Sequence, residues 1–261
     1  MKLNEHQAIL TPKILLVPYS EHHVPTYHEW MKDEDLQKAT ASNPLTLPEE
    51  YAMQQSWRTD TDKLTFIICH APTPGVTNVN FASETVLKKK GFKLTPGKED
   101  SPEKMLGDVN LFLYADEGKE ADIDWRSTDE RVKGIVLEKG LMGVIGEVEI
   151  MIARKEAQGV GLGKETLLAF LWYIISSFST INSEFHSTNG NGKPGSYLKY
   201  LRVKIGEGNA GSLRLFESVG FKKVEEKPNY FGEMELRWGI SVNSMSDIEL
   251  KMDDVPLITQ Y

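Results

Sequence analysis

An α/β fold is what this sequence predicts, and two strand–turn–helix units predict it. The first runs from Gly146 to Phe178 (GEVEIMIARKEAQGVGLGKETLLAFLWYIISSF): an alternating strand, a short loop with Gly159, Gly161 and Gly163 at every second position, then an apolar helix. The second, Tyr197 to Phe221 (YLKYLRVKIGEGNAGSLRLFESVGF), reads as a strand from Leu198 to Ile205, a turn at Asn209, a helix from Ala210 to Ser218 and a Gly220-Phe221 stop. The chain has 261 residues, 40% hydrophobic and 26% charged, enough for one large globular domain or two small ones.

The other elements follow in order. Lys13 to Tyr19 (KILLVPY) is the first expected strand. Val24 to Lys32 puts Val24, Tyr27, Trp30 and Met31 at helical spacing. Thr46-x-x-Glu49, with Pro48 in the first turn, is a capping-box start for a helix reaching Trp57. Leu64 to Cys69 and Gly107 to Tyr114 give two more strands, and the strand before the glycine loop spans Gly143 to Ala153. Strands near Lys222 to Glu226 and Glu233 to Trp238 complete the series. Three stretches read as insertions: 71–104, with four prolines and a Lys88-Lys89-Lys90 run; 115–140, charged; and 182–196, rich in Ser, Asn and Gly. The expectation is one domain over residues 1–240 carrying these insertions, followed by an acidic extension at 241–261 that is poorly packed or serves docking.

Uncovered backbone N–H groups at the glycine loop, joined to the positive end of the helix dipole, make a cradle for phosphate oxygens. The spacing excludes a P-loop, because three residues rather than four separate Gly159 from Gly163, and Glu165 instead of Ser or Thr follows Lys164. It also departs from the dinucleotide fingerprint Gly-x-Gly-x-x-Gly, which usually follows the first strand of its unit. An ordinary strand-to-helix turn is the plain alternative.

Gln158-x-x-Gly161-x-Gly163 after a carboxylate-bearing strand resembles motif A of the Gcn5-related (GNAT) N-acetyltransferases. Asn209-x-x-Ser212-x-x-Leu215-Phe216-Glu217-x-x-Gly220-Phe221 resembles their motif B. LLVPY (Leu15 to Tyr19), YHEWM (Tyr27 to Met31), TASNPLTLPEEYAMQQSW (Thr40 to Trp57), GDVNLFL (Gly107 to Leu113) and GEVEIMIA (Gly146 to Ala153) are similar, in order, to the N-acetyltransferase 9-like group. The resemblance implies the GNAT fold, a mixed central sheet splayed between its fourth and fifth strands with helices on both faces. It implies acetyl-CoA as cosubstrate and no metal. The pyrophosphate would lie on Gln158, Gly159, Val160, Gly161, Leu162, Gly163 and Lys164, and the pantetheine arm along Met151, Ile152 and Ala153, with Asn209 and Ser212 also at the cofactor. It implies a protein N-terminal α-amine as acceptor, with tubulin the suggested target of some animal members. Acetylation of a small amine, and an acyl-CoA-binding scaffold with little turnover, stay open beside it.

Acetyl transfer needs a neutral amine. Glu147 and Glu149 stand two apart on one strand and share a face, where carboxylates are costly unless solvated or used. Glu147 matches the family's strand glutamate and is expected first as general base or water-holder, Glu149 second, with a solvated pair as the alternative. An α-amine titrates at about 7.7–8.0 and a lysine at about 10.4, a gap of about 3.5 kcal/mol, so an N-terminal acceptor asks little of the base. Phe216 stands where many members carry a thiolate-protonating tyrosine. Tyr230, in the Pro228-to-Phe231 turn, is a substitute, a substrate-binding residue, or a simple packed aromatic.

The formal charge of −8 argues against a nucleic-acid partner. The single cysteine, Cys69, excludes an intramolecular disulfide framework and is expected as a buried strand residue. His22, His23 and His28 show no metal-ligand constellation and are expected at the surface or at helix starts. The apolar run Leu167 to Phe178 is too short to cross a bilayer, and the first dozen residues lack a leader pattern. A cytoplasmic or nuclear protein with no membrane partner is expected.

Overall fold

The strands, in chain order, are β1 (Gln7–Leu10), β2 (Ile14–Pro18), β3 (Lys63–His70), β4 (Met105–Ala115), β5 (Met142–Ile152), β6 (Ser196–Gly206), β7 (Lys222–Lys223), β8 (Glu233–Gly239) and β9 (Leu257–Gln260). The α-helices are α1 (Val24–Trp30), α2 (Glu34–Ala39), α3 (Leu47–Thr59), α4 (Leu162–Ser187), α5 (Ala210–Val219) and α6 (Ser244–Glu249). They come from a computed structural model that describes residues 1–72, 94–116, 142–187 and 196–261. Most of the three expected insertions lies outside the described residues.

All nine described strands form one sheet, in the order β7-β8-β6-β5-β4-β3-β2-β1-β9. Every pairing is antiparallel except β5 with β6. Period-two alternation sorts the apolar residues onto two faces. Leu64, Phe66 and Ile68 of β3 join the cluster built on α4, where Phe66 meets Phe170 and Tyr173 edge-on at ring separations of 6.1 and 5.4 Å. Ile67 and Cys69 face the other way, into a cluster with Tyr19, Val24 and Tyr27. Helices therefore cover both faces. Cys69 is fully buried there, and burial pushes its thiol up, which makes it inert.

Local signals set the ends of two helices. At α3 the Thr46 N–H donates to Glu49 Oε2 at 2.7 Å, closing the box read from sequence. At α5 Gly220 takes φ +115°, the left-handed turn that ends helices on glycine.

Four expectations need correction. Helix α4 runs nine residues beyond Phe178, to Ser187, because Ile181 and Phe185 continue its apolar stripe and Glu184 accepts the N–H groups of Lys2 and Leu3 at 2.6 and 3.0 Å. Residues 182–187 are thus helix rather than insertion. The stretch expected as a poorly packed extension supplies α6, whose Ile248 is buried, and β9, which pairs with β1 over Gln7↔Gln260 to Leu10↔Leu257. Both β1 and β9 have only four residues, too few to show a period. The strand expected at Lys222 to Glu226 shrinks to Lys222–Lys223.

By length and composition α4 would also pass for a membrane span. Its apolar face is accounted for by packing, with Leu167, Ala169, Phe170, Tyr173 and Ile174 completely covered.

Candidate active site

The ladder between β5 and β6 runs from Met142↔Ser196 to Glu147↔Arg202 and stops, while β4 accompanies β5 to Gly107↔Ile152. Residues 148–152 therefore have β4 on one side and a gap on the other. The direction of each backbone group follows from two anchors: Asp116 N–H donates to Gly143 O at 2.9 Å, and Ala153 N–H to Leu106 O at 2.8 Å. Antiparallel alternation between these anchors turns the N–H and C=O of Met151 and Glu149 toward β4, and those of Val148, Ile150 and Ile152 toward the gap. Of the three residues expected along the pantetheine arm, Ile152 faces the gap, Met151 faces β4, and the Ala153 amide is already bonded. Gln158 reaches back from the loop and donates through Nε2 to the Ile152 carbonyl at 2.7 Å, fixing the loop above the opening.

The loop needs glycine for its conformation. Gly159 and Gly161 have φ of +73° and +90°, and a Cβ at either would meet nothing within 4 Å. Gly163 differs: a Cβ there would lie 3.4 Å from Leu215 Cδ2, so its bareness lets α4 approach α5. Leu162 is buried and seats the helix start, while Gln158, Val160 and Lys164 are exposed. The first N–H beyond the loop with an internal acceptor is that of Glu165, bonded to Gly161 O at 3.2 Å. Among the described residues, the amides from Gly159 to Lys164 have none. Six donors at the N-terminus of a 26-residue helix form a donor set suited to a diphosphate. The Glu165 carboxylate points away, accepting from Thr11 Oγ1 and from the Lys13 N–H at 2.5 and 2.9 Å, so it ties α4 to the β1–β2 turn.

The second unit is closed differently. Asn209 Oδ1 accepts the Ser212 N–H at 3.1 Å, so these two residues cap α5 with each other.

The two strand glutamates have unlike surroundings. Glu147, on the last paired rung, is buried and bound by Arg202 Nε at 2.7 Å and Lys204 Nζ at 3.5 Å. Glu149, one step into the open half, is solvent-accessible at the wall of the gap. Its accessible surface is large, yet protein atoms crowd round the carboxyl, and that desolvation, helped by the charges of Glu147 and Asp108, pushes it up to about 7. Behind it lie Asp108 and Asn110 on β4, both buried on the same face. Burial pushes the Asp108 carboxyl up to about 6, although Asn110 Nδ2 donates to its Oδ2 at 2.7 Å and Tyr27 OH stands 3.5 Å away. Sequence reasoning missed this pair. The signal was present in GDVNLFL, where two polar residues alternate with apolar ones, as Glu147 and Glu149 do on the next strand.

Residues 13–222 match the family model described as "Acetyltransferase (GNAT) domain". The chain belongs to the GNAT acetyltransferase family. Among its relatives is an N-acetyltransferase 9-like protein of Schizosaccharomyces pombe, 39% identical over 90% of this chain and 97% of that protein. Another is the human alpha/beta-tubulin-N-acetyltransferase 9, 36% identical over 92% of this chain and 87% of that protein. The fold is shared with a GNAT-family acetyltransferase of Bacillus anthracis at a TM-score of 0.51 and 11% identity, covering 88% of this chain and 97% of that one. The protein is an N-acetyltransferase working from acetyl-CoA, and the splayed strands and bare amides suit that cosubstrate.

Other residues of this GNAT domain depart from expectation. His22 and His23 are brought together with Asp100, from 78 and 77 residues away, their Nε2 atoms lying 2.8 and 2.9 Å from Asp100 Oδ2. That corrects the reading that these histidines lack a ligand constellation, while His23, fully buried, stands at the start of α1 as expected. The geometry nevertheless disfavours a metal. His23 Nδ1 accepts the Ser20 N–H at 3.0 Å, so its proton sits on Nε2, the atom that would have to ligate. Asp100 also accepts from Tyr261 OH and the Gly97 N–H; burial pushes its carboxyl up, and the hydrogen bonds from His22, His23 and Tyr261 overcome that and hold it well below the usual range. The cluster pins β9 to the segment before α1. Phe216 is buried against Phe221 at 5.1 Å and offers no proton. Tyr230 is 96% exposed, and the packed-aromatic alternative fails there.

Proposed function

We propose that this enzyme acetylates the α-amine of a protein N-terminus, with a tubulin chain as the favoured substrate, and that Glu149 is its base. The observation that carries the reading is Glu149 itself: an accessible carboxylate at the mouth of the gap, held near 7. Such a base is matched to an amine of pKa about 8 and ill matched to a lysine of about 10.4. The names of the human and Drosophila melanogaster relatives, both alpha/beta-tubulin-N-acetyltransferase 9, support tubulin and with it a cytoplasmic location.

In this mechanism the amides from Gly159 to Lys164 hold the diphosphate, and the backbone of Ile150 and Ile152 faces the thioester arm. One of their N–H groups meets the oxygen that becomes negative as the amine attacks. Glu149 takes the amine's proton, the C–N bond forms, and the C–S bond breaks. A thiolate of pKa about 8.5 leaves with little help, so Phe216 is compatible with turnover. Glu147, neutralised by Arg202 and Lys204, is a strut between β5 and β6 rather than the base. Tyr230, exposed beside Phe231 at a hairpin tip, is a contact for the peptide.

Turnover of acetyl-CoA would be measured on a library of peptides with free N-termini, on the same peptides N-blocked but carrying lysine, and on a polyamine. Acetylation confined to the first set supports the reading. Preference for the polyamine would replace it with the small-amine alternative, and CoA binding without turnover on any set would favour the scaffold.

A further inference from the structure

Pairing across three strands puts Asn110 between Thr65 on β3 and Glu149 on β5. Asn110 and Glu149 form a hydrogen-bonded pair of the antiparallel ladder, with Cα atoms about 5.5 Å apart and side chains on one face. Asn110 is 4% exposed, and its amide orientation is fixed because Nδ2 donates to Asp108 Oδ2 at 2.7 Å. Its other end, Oδ1, is a buried acceptor that meets no donor among the described residues, and the Thr65 hydroxyl on the neighbouring strand is likewise unpaired among them. A buried acceptor without a donor costs free energy, and a partner that arrives during function is one way to offset it. Asp108 is an acceptor, the Tyr27 hydroxyl is aimed at Asp108 instead, and the Thr65 hydroxyl across the other ladder makes no bond to Oδ1. The neighbour across the β5 ladder that gains a donor whenever it takes up a proton is Glu149.

We propose that Asn110 is a positioning residue for the base: Glu149, once it carries the proton taken from the amine, donates that O–H to Asn110 Oδ1. The inference rests on Glu149 being the base. The step is balanced: the amine nitrogen bonds the acetyl carbon and gives its proton to Glu149, the carbon–sulfur bond breaks, and the proton passes from Glu149 to the departing thiolate. Asp108 keeps the amide from flipping by engaging Nδ2. The arrangement favours the protonated carboxyl and so raises the base toward neutrality, alongside the charges that face it. Of those, Glu147 on its own strand, Asp108 on β4 and Glu233 on β8 raise it and Lys204 on β6 lowers it, while the uncharged phenols of Tyr114 on β4 and Tyr27 on α1 also face it.

The test follows the Glu149 ionisation two ways, by the pH profile of kcat/KM with acetyl-CoA and a free-N-terminus peptide, and by carbon-13 titration of the Glu149 carboxyl, which needs no turnover. In Asn110→Leu the midpoint falls by about 1 unit, the scale of one lost hydrogen bond. In the near-isosteric Asn110→Asp, which adds a like charge, it rises. An Asp108→Asn background separates the effects of acceptor and charge: there Asn110→Leu still lowers the midpoint by a similar amount. An unmoved midpoint in Asn110→Leu, or a shift that vanishes in the Asp108→Asn background, overturns the role of Asn110. Glu149→Gln that keeps the wild-type profile instead overturns the base assignment, so the two failures are distinguishable.

Discussion

The two halves of β5 have the same alternating pattern and differ in whether β6 runs beside them. In the paired half, Glu147 meets Arg202 and Lys204 and becomes a structural ion pair. In the open half, no cation among the described residues lies so close to Glu149, and desolvation with the charges of Glu147 and Asp108 raises its carboxyl to about 7. Two residues that the sequence ranked with Glu147 first are separated by a single missing rung. On the proposed mechanism, acid–base chemistry is placed by the end of a ladder as much as by the identity of the acid.

The largest effect that would break this comparison is at the loop feeding the open half. Gly161→Glu places a carboxylate against the diphosphate, and calorimetry should find CoA binding abolished. Gly161→Ala, which carries only the strain of φ +90°, should retain measurable affinity. Equal loss in both would assign the effect to backbone strain.

Next comes the contrast between the glutamates. Glu149→Gln should lower kcat by about 10²–10⁴ with melting unchanged or raised. Glu147→Gln removes the carboxylate that Arg202 and Lys204 bind, at about 1.5–3 kcal/mol and a melting temperature roughly 5 °C lower. Reversal of the two phenotypes would put the base on the paired half.

The pH profile sharpens the same point. Below pH 7 both Glu149 and the substrate amine are protonated, so log kcat/KM should climb with slope about 2, easing to 1 between about 7 and 8 as the amine alone titrates. Glu149→Gln should show slope 1 throughout. Linkage gives the sign for stability: a carboxyl raised above its unfolded value stabilises the fold at low pH, and that contribution fades as pH rises toward about 7. The melting temperature of Glu149→Gln should therefore exceed that of the wild type at pH 8, with little difference at pH 5.

The smallest effect concerns the closed turn. Asn209→Ala removes the cap on α5 and should cost about 1 kcal/mol, a melting shift of about 2–4 °C, with a lesser change in CoA affinity. A loss of affinity exceeding the loss of stability would make Asn209 a cofactor ligand first.

Local features were legible in the sequence: the glycines that take positive φ before α4, the capping box at Thr46 and Glu49, the Gly220 stop, and the longer strands between Lys13 and Gly239. Each is written in contiguous residues, because caps, turns and periods act over a few positions. Tertiary structure decided the rest. It drew Asp100 onto His22 and His23, closed the sheet edge with β9, carried α4 on to Glu184 and the N-terminal residues it binds, and set Glu147 against Arg202. Those outcomes depend on register and on partners many residues apart, and a carboxylate acquires its role only when the register assigns its neighbours.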